Sequence, residues 1–84
     1  MSGEYEQAIS AWQQAMGGGN AGQANQQIAT CYQRLGRHKE AVASFQNAIK
    51  SYQQDIASGR NVEDARRGIR SSELGVTVSQ REGG

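Results

Sequence analysis

The side chains able to do chemistry are few and scattered. Cys31 and His38 are the single cysteine and single histidine of the 84 residues, and they flank a turn at Leu35-Gly36-Arg37. A nucleophilic site needs a thiolate or hydroxyl beside a base. Cys31 instead sits inside a helical pattern without an activating neighbour, where a free thiol behaves as a small buried hydrophobe. Two ligands cannot complete a tetrahedral zinc site, and His38 occupies a slot that an aromatic side chain fills elsewhere in the chain. Neither a Ser-His-Asp set nor a His-x3-His pattern is present. The residues predict no enzyme, no cofactor and no metal.

Gly17-Gly18-Gly19 precedes a helix start, where free backbone amides could hold an anion. The Lys-Ser/Thr pair of a phosphate loop does not follow it, so the three glycines are expected to be a flexible connection. Arg66, Arg67 and Arg70 form the one local charge feature. On a helix Arg66 and Arg70 share a face, with Arg67 beside Arg70, a ridge that could grip a carboxylate or phosphate. The plainer expectation is a solvated face in which Glu63 or Asp64 pairs with these arginines, Glu63 to Arg67 being the favourable i, i+4 order.

Four helices would carry these groups. From 4 to 16, Tyr5, Ala8, Ile9, Trp12, Ala15 and Met16 recur at steps of three and four, the signature of an amphipathic helix. The glycine run ends it. Asn20 offers an N-cap with Gln23 in the capping-box position, and a second helix is predicted over 21–35 with Ala24, Ile28, Cys31, Tyr32 and Leu35 on one face. Gly36 terminates it in the left-handed conformation. A third helix over 38–58 puts Ala41, Val42, Phe45, Ala48, Ile49, Tyr52 and Ile56 on one long stripe, up to the breaker Gly59. A fourth, over 61–74, starts at Asn61, with Glu63 and Asp64 at the positive end of its dipole and Ala65, Ile69 and Ser72 on a weaker stripe. Residues 76–84 are expected to form a flexible tail, leaving a single domain over 1–75.

The whole chain carries a formal charge of +1 and a mean hydropathy of −0.76. No field of that size argues for nucleic acid or acidic lipid as the main partner. The sequence also lacks an apolar run of membrane-spanning length and the regions of a signal peptide, so the cytoplasm is the expected setting. A chain this short buries roughly 60% of its unfolded surface, which implies one narrow core.

Shifting the sequence from Gly3 to Gly36 aligns Tyr5 with His38, Ala8 with Ala41, Ile9 with Val42, Trp12 with Phe45, Ala15 with Ala48 and Met16 with Ile49. The spacing Ala41-x3-Phe45, repeated as Ala8-x3-Trp12, together with Ile28-Ala29-x2-Tyr32 and Gly36, resembles the tetratricopeptide repeat, a helix-turn-helix unit of about 34 residues. One full unit fits at about 22–54. Asn25 stands where that family has Trp, and Gln53 where its closing Pro falls. Residues 2–16 resemble the second helix of a preceding unit, giving about one and a half repeats plus a C-terminal helix. That last helix admits two registers: one pairs Ala24 with Ala65, and the other pairs Ile28-Ala29 with Leu74-Gly75 and requires helix through Gly75.

The resemblance implies an all-α fold of antiparallel hairpins stacked as a short right-handed superhelix. It also implies a groove for a peptide or partner protein, whose variable positions correspond to Gln23, Gln26, Thr30, Gln33 and Arg34, with Gln27 at the edge. The family's Lys and Asn pattern for a C-terminal carboxylate is missing from these positions. The expected function is therefore a non-enzymatic protein-interaction module or scaffold, with self-association favoured by an uncovered first helix. The alternative is a nucleic-acid-binding module using Arg66, Arg67 and Arg70. The expected core is Tyr5, Ile9, Trp12, Ile28, Tyr32, Val42, Phe45 and Ile49.

Overall fold

The computed structural model describes residues 2–17 and 19–83; Met1, Gly18 and Gly84, which belong to the expected domain start, glycine connection and tail end, lie outside the described residues. Among the described residues all regular structure is helical: α1 (Ser2–Ala15), α2 (Ala21–Arg34), α3 (His38–Ala57) and α4 (Val62–Gly83). The chain adopts the all-α class that the sequence predicts.

Two glycines set the turns. Gly36 and Gly59 have φ of +79° and +74°, a conformation that costs a residue with a Cβ but not glycine. Each closes its helix in the same way. After α2, Arg37 N–H donates to Tyr32 O and Gly36 N–H to Gln33 O; after α3, Arg60 N–H donates to Asp55 O and Gly59 N–H to Ile56 O. This paired 6→1 and 5→2 pattern satisfies carbonyls that a helix end leaves free. The start of α2 departs from the predicted capping box: Asn20 turns back, its Nδ2 donating to Ala15 O and its Oδ1 accepting from Gly17 N–H. It fastens the end of α1 rather than capping α2.

α3 lies between α2 and α4, while α1 packs on α2 and on no other helix. Small residues occupy the contacts. Ala24, Ala29, Ala41 and Ala48 are fully buried and Ala65 nearly so, joined by Ile9, Ile28 and Phe45. Of the expected core, Ile9, Ile28 and Phe45 are therefore inside, whereas Tyr5, Trp12, Tyr32, Val42 and Ile49 are half-buried. Helices that meet at alanine approach closely and push longer side chains toward the rim of the contact. Ala41 and its sequence counterpart Ala8 differ for the same architectural reason: α3 is covered on two sides, so Ala41 is buried and Ala8 only half-buried.

The fourth helix overturns two expectations. It does not stop at 74, and 76–83 is not a loose tail; the helix continues to Gly83, with Val76 packed against the cluster of Ala29, Ala41 and Phe45. Gly75 is buried, and a Cβ on it would overlap the Phe45 ring. It is thus the slot that admits an aromatic side chain rather than a helix stop. Leu74, beside it, points outward and is 65% exposed. Continuity through Gly75 meets the condition that the second register sets.

Candidate functional site

Two aromatic side chains of α3 fix how α2 and α4 sit, and in doing so open a cleft between them. Phe45 and Tyr52 stand two turns apart on one face. A Cβ on Gly22 would lie 2.6 Å from Tyr52 Cε1, and one on Gly68 would overlap the opposite edge of the same ring. Tyr52 is therefore held between a glycine of α2 and a glycine of α4. Its hydroxyl donates to Gln26 Oε1 at 2.7 Å, which places the ring's polar end toward α2.

Farther along, Gln33 of α2 reaches α4 directly. Its Nε2 donates to Gly75 O at 3.2 Å and to Ser79 Oγ at 2.8 Å. Tyr52 at one end and Gln33 at the other hold α2 and α4 in place, so the space between them is set by packing before any ligand arrives.

That space is a cleft of about 470 Å³, lined from α2 by Gln23, Gln26 and Gln27, from α3 by Tyr52 and Asp55, and from the start of α4 by Asp64, Arg67, Gly68 and Ser71, with Asn20 and Asn61 at its rim. Glutamine amides offer both donors and acceptors to a peptide backbone. Burial pushes the Tyr52 phenol above its ordinary range, and the negative charges of Asp55 and Asp64 push it further. Both carboxylates thus lie close enough to be felt at the cleft floor.

Of the residues that the sequence singles out, Gln23, Gln26, Gln27 and Arg67 line this cleft. Thr30 does not; its hydroxyl donates back to Gln26 O at 3.1 Å. Gln33 serves as the strap between helices, and Arg34 is exposed outside the lining. Arg66 and Arg70 are, like Arg67, exposed on α4, but they do not line the cleft. The expected pairing of these arginines with Glu63 or Asp64 is absent: among the described residues the ion pair is Arg37–Glu40, at 3.8 Å. Sequence reasoning missed Tyr52, Asp55, Asp64 and Ser71 as lining residues. Tyr52 had a legible signal, seven residues past Phe45 on the same stripe.

Cys31 is half-buried. Burial raises its thiol, with Arg34 pulling the other way, which leaves it more protonated than an exposed cysteine.

Residues 22–55 match the family model of the tetratricopeptide repeat. The α2–α3 hairpin is thus similar to a tetratricopeptide repeat. The match runs from Gly22 in the first turn of α2 to Asp55 near the end of α3, covering the hairpin and the α2 and α3 walls of the cleft. No curated protein and no solved structure matches the chain. The repeat points to a protein–protein interaction module as the general class. No helix among the described residues is long and apolar enough to cross a membrane.

Proposed function

We propose that the protein is a non-enzymatic interaction module that takes an extended peptide segment of a partner protein in the cleft between α2 and α4. The observation that carries this reading is the cleft itself, walled by the side-chain amides of Gln23, Gln26 and Gln27 and held open by Tyr52 and Gln33. Amides at helical spacing can pair with successive peptide groups of an extended strand, while a preset cleft spares the ordering cost of binding.

The nucleic-acid alternative, which would use Arg66, Arg67 and Arg70, is disfavoured by the formal charge of only +1 over the whole chain. The same reading places the protein in the cytoplasm as a scaffold component. It extends to self-association, because α1 meets only α2 and leaves Tyr5, Ala8 and Trp12 half-exposed.

The test is nuclear magnetic resonance of the labelled 84-residue chain during addition of a pool of acetylated, amidated hexapeptides. The side-chain amide signals of Gln23, Gln26 and Gln27 should shift together and saturate. Shifts confined to Arg66 and Arg70, or none at millimolar peptide, would overturn the cleft assignment. If an oligonucleotide gave the saturating response instead, with a steep dependence on salt, the nucleic-acid alternative would replace it.

A further inference from the structure

The helix α4 has two flanks. The one turned toward α2 carries Asp64, Arg67 and Ser71 and lines the cleft. The other carries Val62, Ile69 and Val76, and on α3 the side turned from Asp55 carries Val42, Ile49 and Ile56. Each set repeats at seven-residue steps, two helical turns, and so forms one row. All six side chains are half-buried rather than inside. Because α3 and α4 run antiparallel, with Phe45 opposite Gly75 and Tyr52 opposite Gly68, the two rows form the walls of one apolar groove. Its far end opens into a hollow of about 340 Å³ that joins His38 and Val42 of α3 to Ser79 and Gln80 of α4.

A second incompletely covered surface lies on α1. Ala8, Trp12 and Ala15 align with Ala41, Phe45 and Ala48 of α3. In α3 these positions are 0%, 3% and 0% exposed, because α2 and α4 both pack on that helix. Only α2 packs on α1, and there Ala8 and Trp12 are half-buried and Ala15 is exposed. The same side chains at the same spacing have one helical cover where their counterparts have two.

The two surfaces fit each other in length and in charge. With 14 residues, α1 is about 21 Å long, and the row from Val42 to Ile56 extends over about 21 Å as well. Glu4 and Glu6 are the charged side chains of α1, which has no Lys or Arg. Beside the groove, Lys39 and Lys50 on α3 and Arg66 and Arg70 on α4 stand next to or one turn from its aliphatic residues, against Glu73 alone. An acidic amphipathic helix therefore meets an apolar groove with a basic border, an arrangement that favours this pairing over groove on groove or α1 on α1.

We propose that α1 of one copy lays its Tyr5, Ala8 and Trp12 face into the α3–α4 groove of a second copy, so that chains associate head to tail. This assignment rests on the self-association reading and is independent of the peptide cleft. Tyr5, Ala8 and Trp12 fall at i, i+3 and i+7, the spacing with which a helix anchors in a groove. The donor and receiving faces differ, so every pair keeps one free face at each end, and growth continues unless a ring closes.

Sedimentation of the full chain with one face blocked at a time tests the proposal. Trp12→Glu blocks the α1 face and Ile69→Glu blocks the groove. The parent should gain mass with concentration, whereas each variant alone should stay near monomeric mass, its apparent Kd weakened roughly tenfold or more, the scale of losing one anchor side chain. An equimolar mixture of the two variants should form a heterodimer and nothing larger, because the Trp12→Glu copy keeps its groove and the Ile69→Glu copy keeps its α1 face. That recovery also shows that both variants are folded; where circular dichroism shows lost helix, Ile49→Gln on the other wall takes the place of Ile69→Glu. Assembly of Ile69→Glu like the parent would overturn the groove and leave α1 pairing with α1, and a mixture no more associated than either variant would overturn the head-to-tail contact. A parent of constant monomeric mass would overturn self-association altogether and leave the cleft reading intact.

Discussion

Ser72 and Ser79 sit on the same face of α4 and are fully buried, yet their hydroxyls meet different fates. Ser79 Oγ accepts from Gln33 Nε2, whereas Ser72 Oγ has no hydrogen-bond partner. A buried polar group without a partner costs about 1–3 kcal/mol, while a satisfied one contributes about 1 kcal/mol. Ser72→Ala should therefore raise the stability by about 1 kcal/mol, and Ser79→Ala should lower it by a similar amount. Urea midpoints for the two variants that move in the same direction would show that the hydroxyls are equivalent.

Tyr52 makes a second residue-scale case. Its phenol is held above the ordinary value near 10, first by burial and then by Asp55 and Asp64. Unfolding releases it to that ordinary value. Above about pH 10 the unfolded chain gives up the proton more readily than the folded one, so stability that is complete below pH 10 declines as pH rises through the elevated value. Tyr52→Phe removes the titration and also the hydrogen bond to Gln26. At pH 7 the variant should be about 1 kcal/mol less stable than the parent, and by pH 10.5 the gap should shrink. A gap that stays constant between the two pH values would mean that the phenol ionises alike in both states.

At the scale of elements, the contact between α3 and α4 depends on what α4 leaves out. Ala65, Gly68, Ser72, Gly75 and Ser79 are buried at alternating steps of three and four, a seam of small residues against which the α3 aromatics lie. Glycine inside a helix ordinarily costs about 1 kcal/mol relative to alanine, so Gly→Ala should stabilise wherever the Cβ has room. Gly3, in α1, has nothing within 4 Å of that position, and Gly3→Ala should give up to about 1 kcal/mol. Gly68→Ala drives a methyl into the Tyr52 ring, which Gly22 blocks from retreating. Overpacking of this kind costs about 1–3 kcal/mol and should outweigh the gain in propensity. Thermal melts of the two variants should shift in opposite directions; a stabilised Gly68→Ala would mean that the ring is free to move.

This seam also explains which parts of the fold were legible in the sequence. The hairpin was, because Gly36, the Ala41-Phe45-Ala48 stripe and the breaker Gly59 act within a turn or two of their own positions. The course of α4 past Leu74 was not. A glycine can end a helix or receive an aromatic side chain, and local sequence does not distinguish the two. The deciding partners, Tyr52 and Phe45, belong to a different helix. The regular spacing of Ala65, Gly68, Ser72, Gly75 and Ser79 was the available signal, hidden because serine and glycine do not register as apolar. The cleft was legible on its α2 wall, where the glutamines stand at helical spacing, and less so where Asp55 and Asp64 join the lining from separate helices.

At the scale of the whole molecule, the Cα extents of 38 × 27 × 14 Å describe a slab whose thin dimension fits two helix layers with axes about 9 Å apart. A slab buries less of its surface than a sphere of the same volume, and α1 carries the consequence. Ile9 is buried beneath it against α2, but Tyr5, Ala8 and Trp12 remain half-exposed. Helical units of this kind gain stability by stacking on neighbours, so the open side of α1 is the place where a second copy would add apolar burial at about 25 cal/mol per Å². Trp12 is the single tryptophan and reports on that face directly. Sedimentation from micromolar to millimolar concentration should show the average mass rising, with Trp12 emission moving to shorter wavelength over the same range. Trp12→Gln should reduce both changes while leaving the hairpin of α2 and α3 folded. A parent protein of constant monomeric mass and unchanged emission across that range would show that the half-exposed face of α1 is at rest in water and that the cleft between α2 and α4 works alone.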